Sequence, residues 1–260
     1  MTNQEVAIAV EQALACSVKF LRTRFSLLQA LVFLALGAEA LAATVTGSVR
    51  LVDSRDANVR RKGDYSGVVI WLDRIGAPEP DPKPRIARIV QMQKKFIPHI
   101  TAIPVGSTVH FPNADPIFHN AFSNFSGQAF DTGLYAPRTS QKVHFARVGV
   151  VRVFCNIHST MSAVIVVTPT PYVAITAKTG KYSIEGVDPG QYRLHVFHER
   201  SSEQTLKSLE RRVAIDSPLV DIEAIIVSES GYIEVPHKNK YGKDYPPVIE
   251  DRPAYPAKNP

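Results

Sequence analysis

The run Val153-Phe154-Cys155-Asn156-Ile157-His158-Ser159-Thr160-Met161 spaces a thiol, an imidazole and a thioether at intervals of three residues. A second imidazole precedes it in Phe118-His119-Asn120. Soft sulfur donors favour copper. Two imidazoles and a thiolate complete a near-trigonal plane, with methionine as a weak axial contact; this is the donor set of a blue-copper electron-transfer site. A lone cysteine is usually a buried small hydrophobe, and Cys-x-x-His alone is weak evidence. The methionine at the same interval and the upstream His-Asn pair make coincidence harder. An ion held by four protein donors keeps no open position for a substrate, as catalytic metals generally do, so one-electron exchange is expected and catalysis is not.

These side chains need elements to aim them. Residues 148–155 are β-branched and apolar, a strand that ends at the cysteine, and residues 163–168 read as the next strand. The seven residues 156–162 make the turn between them. A loop that short can aim Cys155, His158 and Met161 at one point, while His119 arrives from another part of the same sandwich. Residues 106–113 form the strand leading to it.

With these pieces placed, the chain resembles the cupredoxin family, and within it the short-loop, amicyanin-like members. The resemblance rests on Cys155-x-x-His158-x-x-Met161, on Phe118-His119-Asn120, and on Ile103-Pro-Val-Gly-Ser-Thr-Val-His-Phe-Pro-Asn113. That last run is similar to the family's approach to its first histidine, with Ile103 replacing the opening valine. Phe96-Ile-Pro98 fits the start of the domain. The resemblance covers residues 88–168 and implies a Greek-key β-sandwich with one type 1 copper. By it, His119, Cys155, His158 and Met161 are the ligands. Asn120 hydrogen-bonds across to the cysteine loop and holds it, as outer partners do at metal sites. His158 is the electron port, with Ile157 and Pro116 around it.

The start of the chain reads as an export signal. Lys19, Arg22 and Arg24 precede an apolar run at 25–37 and an Ala40-Leu41-Ala42 ending, a secretory signal over residues 1–42. Its apolar core is too short for a membrane span, so none is expected after its removal. A lipoprotein reading of Cys16 fails, because Glu5 and Glu11 interrupt the stretch before it and no long apolar run precedes it. Of the two cysteines, Cys16 leaves with the signal. Cys155 then has no internal disulfide partner in an oxidising compartment, and copper ligation is a reason to keep it there. The expected location is the periplasm. The net charge of +6 survives processing, since Lys19, Arg22 and Arg24 balance Glu5, Glu11 and Glu39. The excess gathers at 50–62, 83–95 and 238–243; a solvated surface with a basic tail accounts for it, and docking of an acidic redox partner is the alternative. No nucleic-acid motif is present.

The flanks have a second organisation. Residues 43–52 alternate as a strand, residues 65–73 form another, and residues 55–64 between them read as a charged loop. Pro78, Pro80, Pro82 and Pro84 stiffen an extended connection. Residues 179–184 and 191–197 flank a Val187-Asp-Pro-Gly190 turn and read as a hairpin, with Tyr192, Leu194 and Val196 on one side. Residues 201–211 form a short helix or a charged loop, and 212–216 and 220–227 are further strands. This material resembles the carboxypeptidase-regulatory-like, transthyretin-like sandwich through Val45-Thr-Gly47-Ser-Val-Arg-Leu, Gly67-Val-Val-Ile-Trp71-Leu and Thr179-Gly180-Lys-Tyr-Ser-Ile-Glu-Gly-Val-Asp-Pro-Gly190. The expected fold is therefore all-β: a cupredoxin sandwich at 88–168, with a second small sandwich split around it at 44–87 and 169–228. Exported proteins of this joint arrangement are often labelled methylamine-utilisation-like. Residues 229–260, rich in proline and lysine, read as an extended or disordered tail.

The other histidines carry less. His110 and His144 lie in strands and His99 near a strand start, His195 and His198 fall on opposite strand faces, and His237 is in the tail; none is expected at the main copper. No His-x-His pairs of a multicopper oxidase, second loop cysteine of a binuclear centre, G-x-S-x-G or H-E-x-x-H motif occurs. The expected partner is a redox protein such as a c-type cytochrome or a periplasmic dehydrogenase. The alternatives are a periplasmic copper-delivery protein and a non-redox β-sandwich interaction module.

Overall fold

The computed structural model describes residues 42–124, 127–233 and 235–245. The secretion signal expected over 1–42 lies outside the described residues except for Ala42. The chain is an all-β protein built from several small sheets. Among the described residues, no helix is long and apolar enough to cross a membrane.

Val45, Val49 and Leu51 alternate along the strand Ala43–Val52 and are all buried, the one-sided pattern of a half-buried strand. This strand is the middle of a three-stranded sheet, antiparallel to Lys181–Val187 and parallel to Leu219–Ser228. Facing it is a four-stranded antiparallel sheet of Val173–Ile175, Val69–Arg74, Gly190–Phe197 and Arg211–Ile215. Ile70, Leu72, Tyr182, Ile184, Tyr192 and Leu194 meet in the core between the two sheets.

The hairpin expected around 187–190 does not form. Lys181–Val187 and Gly190–Phe197 belong to different sheets, so the turn carries the chain across the core. Both strands have a buried apolar face, Ile184 and Val187 on one and Leu194 and Val196 on the other. Those faces share one core across the layers, which pairing the strands edge to edge in one sheet would prevent. A second difference lies at 55–64, where Ala57–Lys62 is a short helix. Asp56 caps its start by accepting the Asn58 N–H at 2.7 Å, and Gly63 closes its end in the left-handed region at φ 61°. Within 201–211 the helix alternative holds: Glu203–Ser208 is helical, capped by Ser202.

Residues 86–168 supply the remaining sheets. Ser140–His144, Thr108–Pro112 and Ile86–Arg88 form one; Ile100–Pro104, Ser162–Thr168, Gly149–Phe154, Phe122–Ser123 and Phe130–Asp131 form another. Their core includes Phe111, Phe145, Val153, Ile165, Cys155 and Met161. The strand Ser162–Thr168 is buried from Ala163 onward, as its unbroken apolar run requires. Ala163, Ile165 and Val167 face this core. Val164 and Val166 face the other way, packing with Ala102 and Val69 and against Trp71, Val173 and Phe197. The strand that leaves the candidate metal loop therefore touches both cores.

Candidate metal centre

The strands Gly149–Phe154 and Ser162–Thr168 pair antiparallel, with Phe154 opposite Ser162 at the end of the ladder. The chain between them is tied at its neck: the Cys155 N–H donates to the Met161 carbonyl at 3.2 Å, and the Met161 N–H to the His158 carbonyl at 3.1 Å. His119 is brought in by a bridge to Tyr135, with the Tyr135 N–H donating to the His119 carbonyl at 2.9 Å.

This framework gathers His119, Cys155 and His158, whose ligand atoms all lie within 4.8 Å of one another. Cys155 Sγ is 3.8 Å from His119 Nδ1 and 3.6 Å from His158 Nδ1. His119 and Cys155 are fully buried, and Met161 is fully buried in the same core. The two sulfur–nitrogen distances fit one shared ion: bonds of about 2.3 Å to sulfur and about 2.0 Å to nitrogen, set about 120° apart, place a sulfur and a nitrogen donor about 3.7 Å from each other. Thiolate, imidazole and thioether together suit copper.

A buried carboxylate that the sequence did not single out sets the free nitrogen of His119. Asp115 lies 2.8 Å from His119 Nε2 and is itself buried. A carboxylate only accepts, so Nε2 carries the proton and Nδ1 presents its lone pair toward Cys155. Asp115 also accepts the backbone N–H groups of Gln93 at 2.6 Å and Lys94 at 2.9 Å. Its one sequence signal is the turn chemistry of Asn113-Ala114-Asp115-Pro116.

Asn120 reaches across to the loop, its Oδ1 accepting the Asn156 N–H at 2.6 Å. Its Nδ2 donates to Asp131 at 3.3 Å, and its carbonyl accepts Gln91 Nε2 at 3.1 Å. Burial pushes the Cys155 thiol up, against partial relief from the backbone N–H groups of Asn120, Ile157 and His158. Burial, then the neighbouring His119 and Lys94, holds His158 down at about 4. A neutral His158 keeps its lone pair at neutral pH, and metal binding has to displace the thiol proton.

The other histidines sit elsewhere. His99 joins the Ser162 carbonyl, at 2.9 Å, to Glu199, at 2.8 Å. His195 stacks on Trp71 between Asp73 and Glu210, while His198 is buried against Glu229. His237 lies over Phe154 with ring centroids 4.0 Å apart.

No protein-family model matches the chain, and no curated protein matches it. Solved structures similar to part of it include cupredoxins. A purple cupredoxin from Nitrosopumilus maritimus shares 23% identity at a TM-score of 0.29, over 32% of this chain and 99% of that one. An amicyanin variant in its Cu(I) form shares 17% identity at 0.31, over 32% of this chain and 82% of the other. A copper-containing nitrite reductase from Thermus scotoductus SA-01 shares 26% identity at 0.31, over 37% of this chain; the match spans only 25% of the reductase.

Proposed function

We propose that the protein carries single electrons through one type 1 copper held by His119, Cys155, His158 and Met161. The observation that carries this reading is the pair of imidazole Nδ1 atoms 3.6 and 3.8 Å from one buried sulfur. Copper bound there would supply a one-electron Cu(I)/Cu(II) couple. The chain's own part is to hold the donors in one arrangement for both oxidation states. Asp115 orients His119, Asn120 holds Asn156, and the Cys155–Met161 backbone bond closes the loop. With four donors from the chain, no position is left for a substrate, and the protein is read as a carrier and not an enzyme.

His158 is only partly buried, and Phe118, Leu134 and Ile157, chain neighbours of His119, Tyr135 and His158, are exposed apolar side chains. They suit contact with a redox protein such as a c-type cytochrome or a periplasmic dehydrogenase, with His158 as the port. Export to the periplasm belongs to the same reading. So does the domain plan: residues 44–87 and 169–228 form one carboxypeptidase-regulatory-like domain around a cupredoxin domain at 88–168, supported by the sheets and core that the two outer stretches share.

The test is a visible and EPR titration of residues 43–260 with Cu(II). An intense thiolate-to-copper band, lost in Cys155→Ser, is the expected result. A colourless protein, or a band indifferent to Cys155, overturns the reading.

A further inference from the structure

Residues 235–245 run without regular secondary structure across the candidate metal loop, and three of their contacts fall on the successive residues Phe154, Cys155 and Asn156 where the strand passes into it. The His237 ring stacks on Phe154. The Tyr245 hydroxyl donates to the Cys155 carbonyl at 2.7 Å. The Lys240 N–H donates to Asn156 Oδ1 at 3.0 Å. The segment is fixed from its own side as well. Lys240 Nζ pairs with Asp131 at 2.7 Å, the Lys240 carbonyl accepts Asn124 Nδ2 at 3.3 Å, and His237 Nδ1 is 3.1 Å from the Tyr245 hydroxyl.

The peptide joining Cys155 to Asn156 is thereby held at both edges: Tyr245 takes its carbonyl, and Asn120 Oδ1 takes its N–H at 2.6 Å. A peptide unit is planar, so bonds to its carbonyl and its N–H fix its rotation about the chain. That rotation sets the direction in which the Cys155 side chain leaves the backbone.

We propose that residues 235–245 are a clasp on the metal loop, with Tyr245 as the positioning residue for the Cys155 sulfur. The consequence for copper rests on the electron-carrier reading; the hold on the loop does not. An O–H dipole pointing at the Cys155 peptide also favours the more electron-rich, reduced site, a second way in which an outer hydrogen bond tunes a metal.

The experiment compares Tyr245→Phe with Tyr65→Phe, a tyrosine packed against the other core and outside the clasp, in the full mature chain. In metal-free protein, Tyr245→Phe is expected to raise amide hydrogen exchange across residues 155–161 about fivefold to tenfold, the effect of one lost hydrogen bond, and Tyr65→Phe to leave it unchanged. Unchanged exchange in Tyr245→Phe, or an equal rise in both variants, overturns the clasp. With copper, Tyr245→Phe is expected to shift the thiolate-to-copper band, lower the reduction potential and speed copper release about fivefold to tenfold. Faster loop exchange with an unchanged band, potential and release rate overturns the positioning role. If the parent protein shows no Cys155-dependent band, it is the electron-carrier reading that fails, and exchange in the metal-free variants still decides whether the clasp holds.

Discussion

Asp115 decides which nitrogen of His119 is free to bind. In Asp115→Asn the amide oxygen can still meet one donor, but the amide NH2 faces N–H groups that the carboxylate now accepts. His119 loses its fixed orientation, and metal affinity is expected to fall about tenfold to a hundredfold, measured by competition with a chelator of known affinity. His158→Gly tests a different role. It leaves three donors and partial copper binding, and it should slow electron exchange in stopped-flow mixing with a redox partner; an unchanged rate would remove His158 from the port. The meeting of His119, Cys155 and His158 could be read from the sequence because thiol and imidazole donors are uncommon residue types at a telling spacing. Asp115 could not, since a carboxylate in an Asn-Ala-Asp-Pro turn looks like any surface loop acid until the fold turns it inward.

At the level of elements, Gly180 shows what local geometry demands. Its φ is +79°, and a Cβ built there would lie 2.1 Å from the Val49 carbonyl oxygen; the Val49 N–H donates to the Gly180 carbonyl at 2.9 Å. Gly180→Ala meets both a disfavoured backbone and a neighbouring strand that cannot retreat. The expected cost is at least about 2 kcal/mol, read as a lower denaturation midpoint. Most strands were legible through their two-residue period, although residues 179–180, read as the opening of a strand, lie in the turn before Lys181–Val187. Periodicity names a strand but not its neighbour, which is why 187–190 read as a hairpin when it is a corner between sheets. The helix Ala57–Lys62 was hidden by its charge, although Asp56 and Gly63 were in place as start and stop signals at its two ends.

For the molecule as a whole, Glu229 ties distant parts of the chain together. Its buried carboxylate accepts Ser54 Oγ at 2.7 Å, His198 Nε2 at 2.8 Å and Arg200 at 2.9 and 3.0 Å. Burial alone would push this carboxyl up; the His198, Arg200 and Ser54 bonds more than reverse that and bring it from 4.5 down to about 2. A depressed carboxylate stabilises the fold fully above its ordinary range and loses that contribution as pH falls. About 3 kcal/mol should therefore disappear between pH 4.5 and about pH 2. Thermal unfolding of metal-free protein against pH measures this, and Glu229→Gln should flatten the decline over that interval while lowering stability at pH 7. The sequence gives no warning of Glu229, nor of Tyr245 reaching Cys155, because neither repeats with any period and each contact is made with residues far along the chain.

The pairing of Ala43–Val52 with Lys181–Val187 and Leu219–Ser228 also sets an order of events. Thr46 meets Asp221 across 175 residues, whereas the strands between Ile86 and Thr168 find their partners among themselves. Loop closure over such a span is costly and slow compared with local pairing. The half that carries the candidate metal centre can therefore fold while the first strand is still waiting for the last. Until Leu219–Ser228 arrives, Ala43–Val52 has an open edge, and that interval is when a newly made or refolding chain is most exposed to pairing with the wrong neighbour.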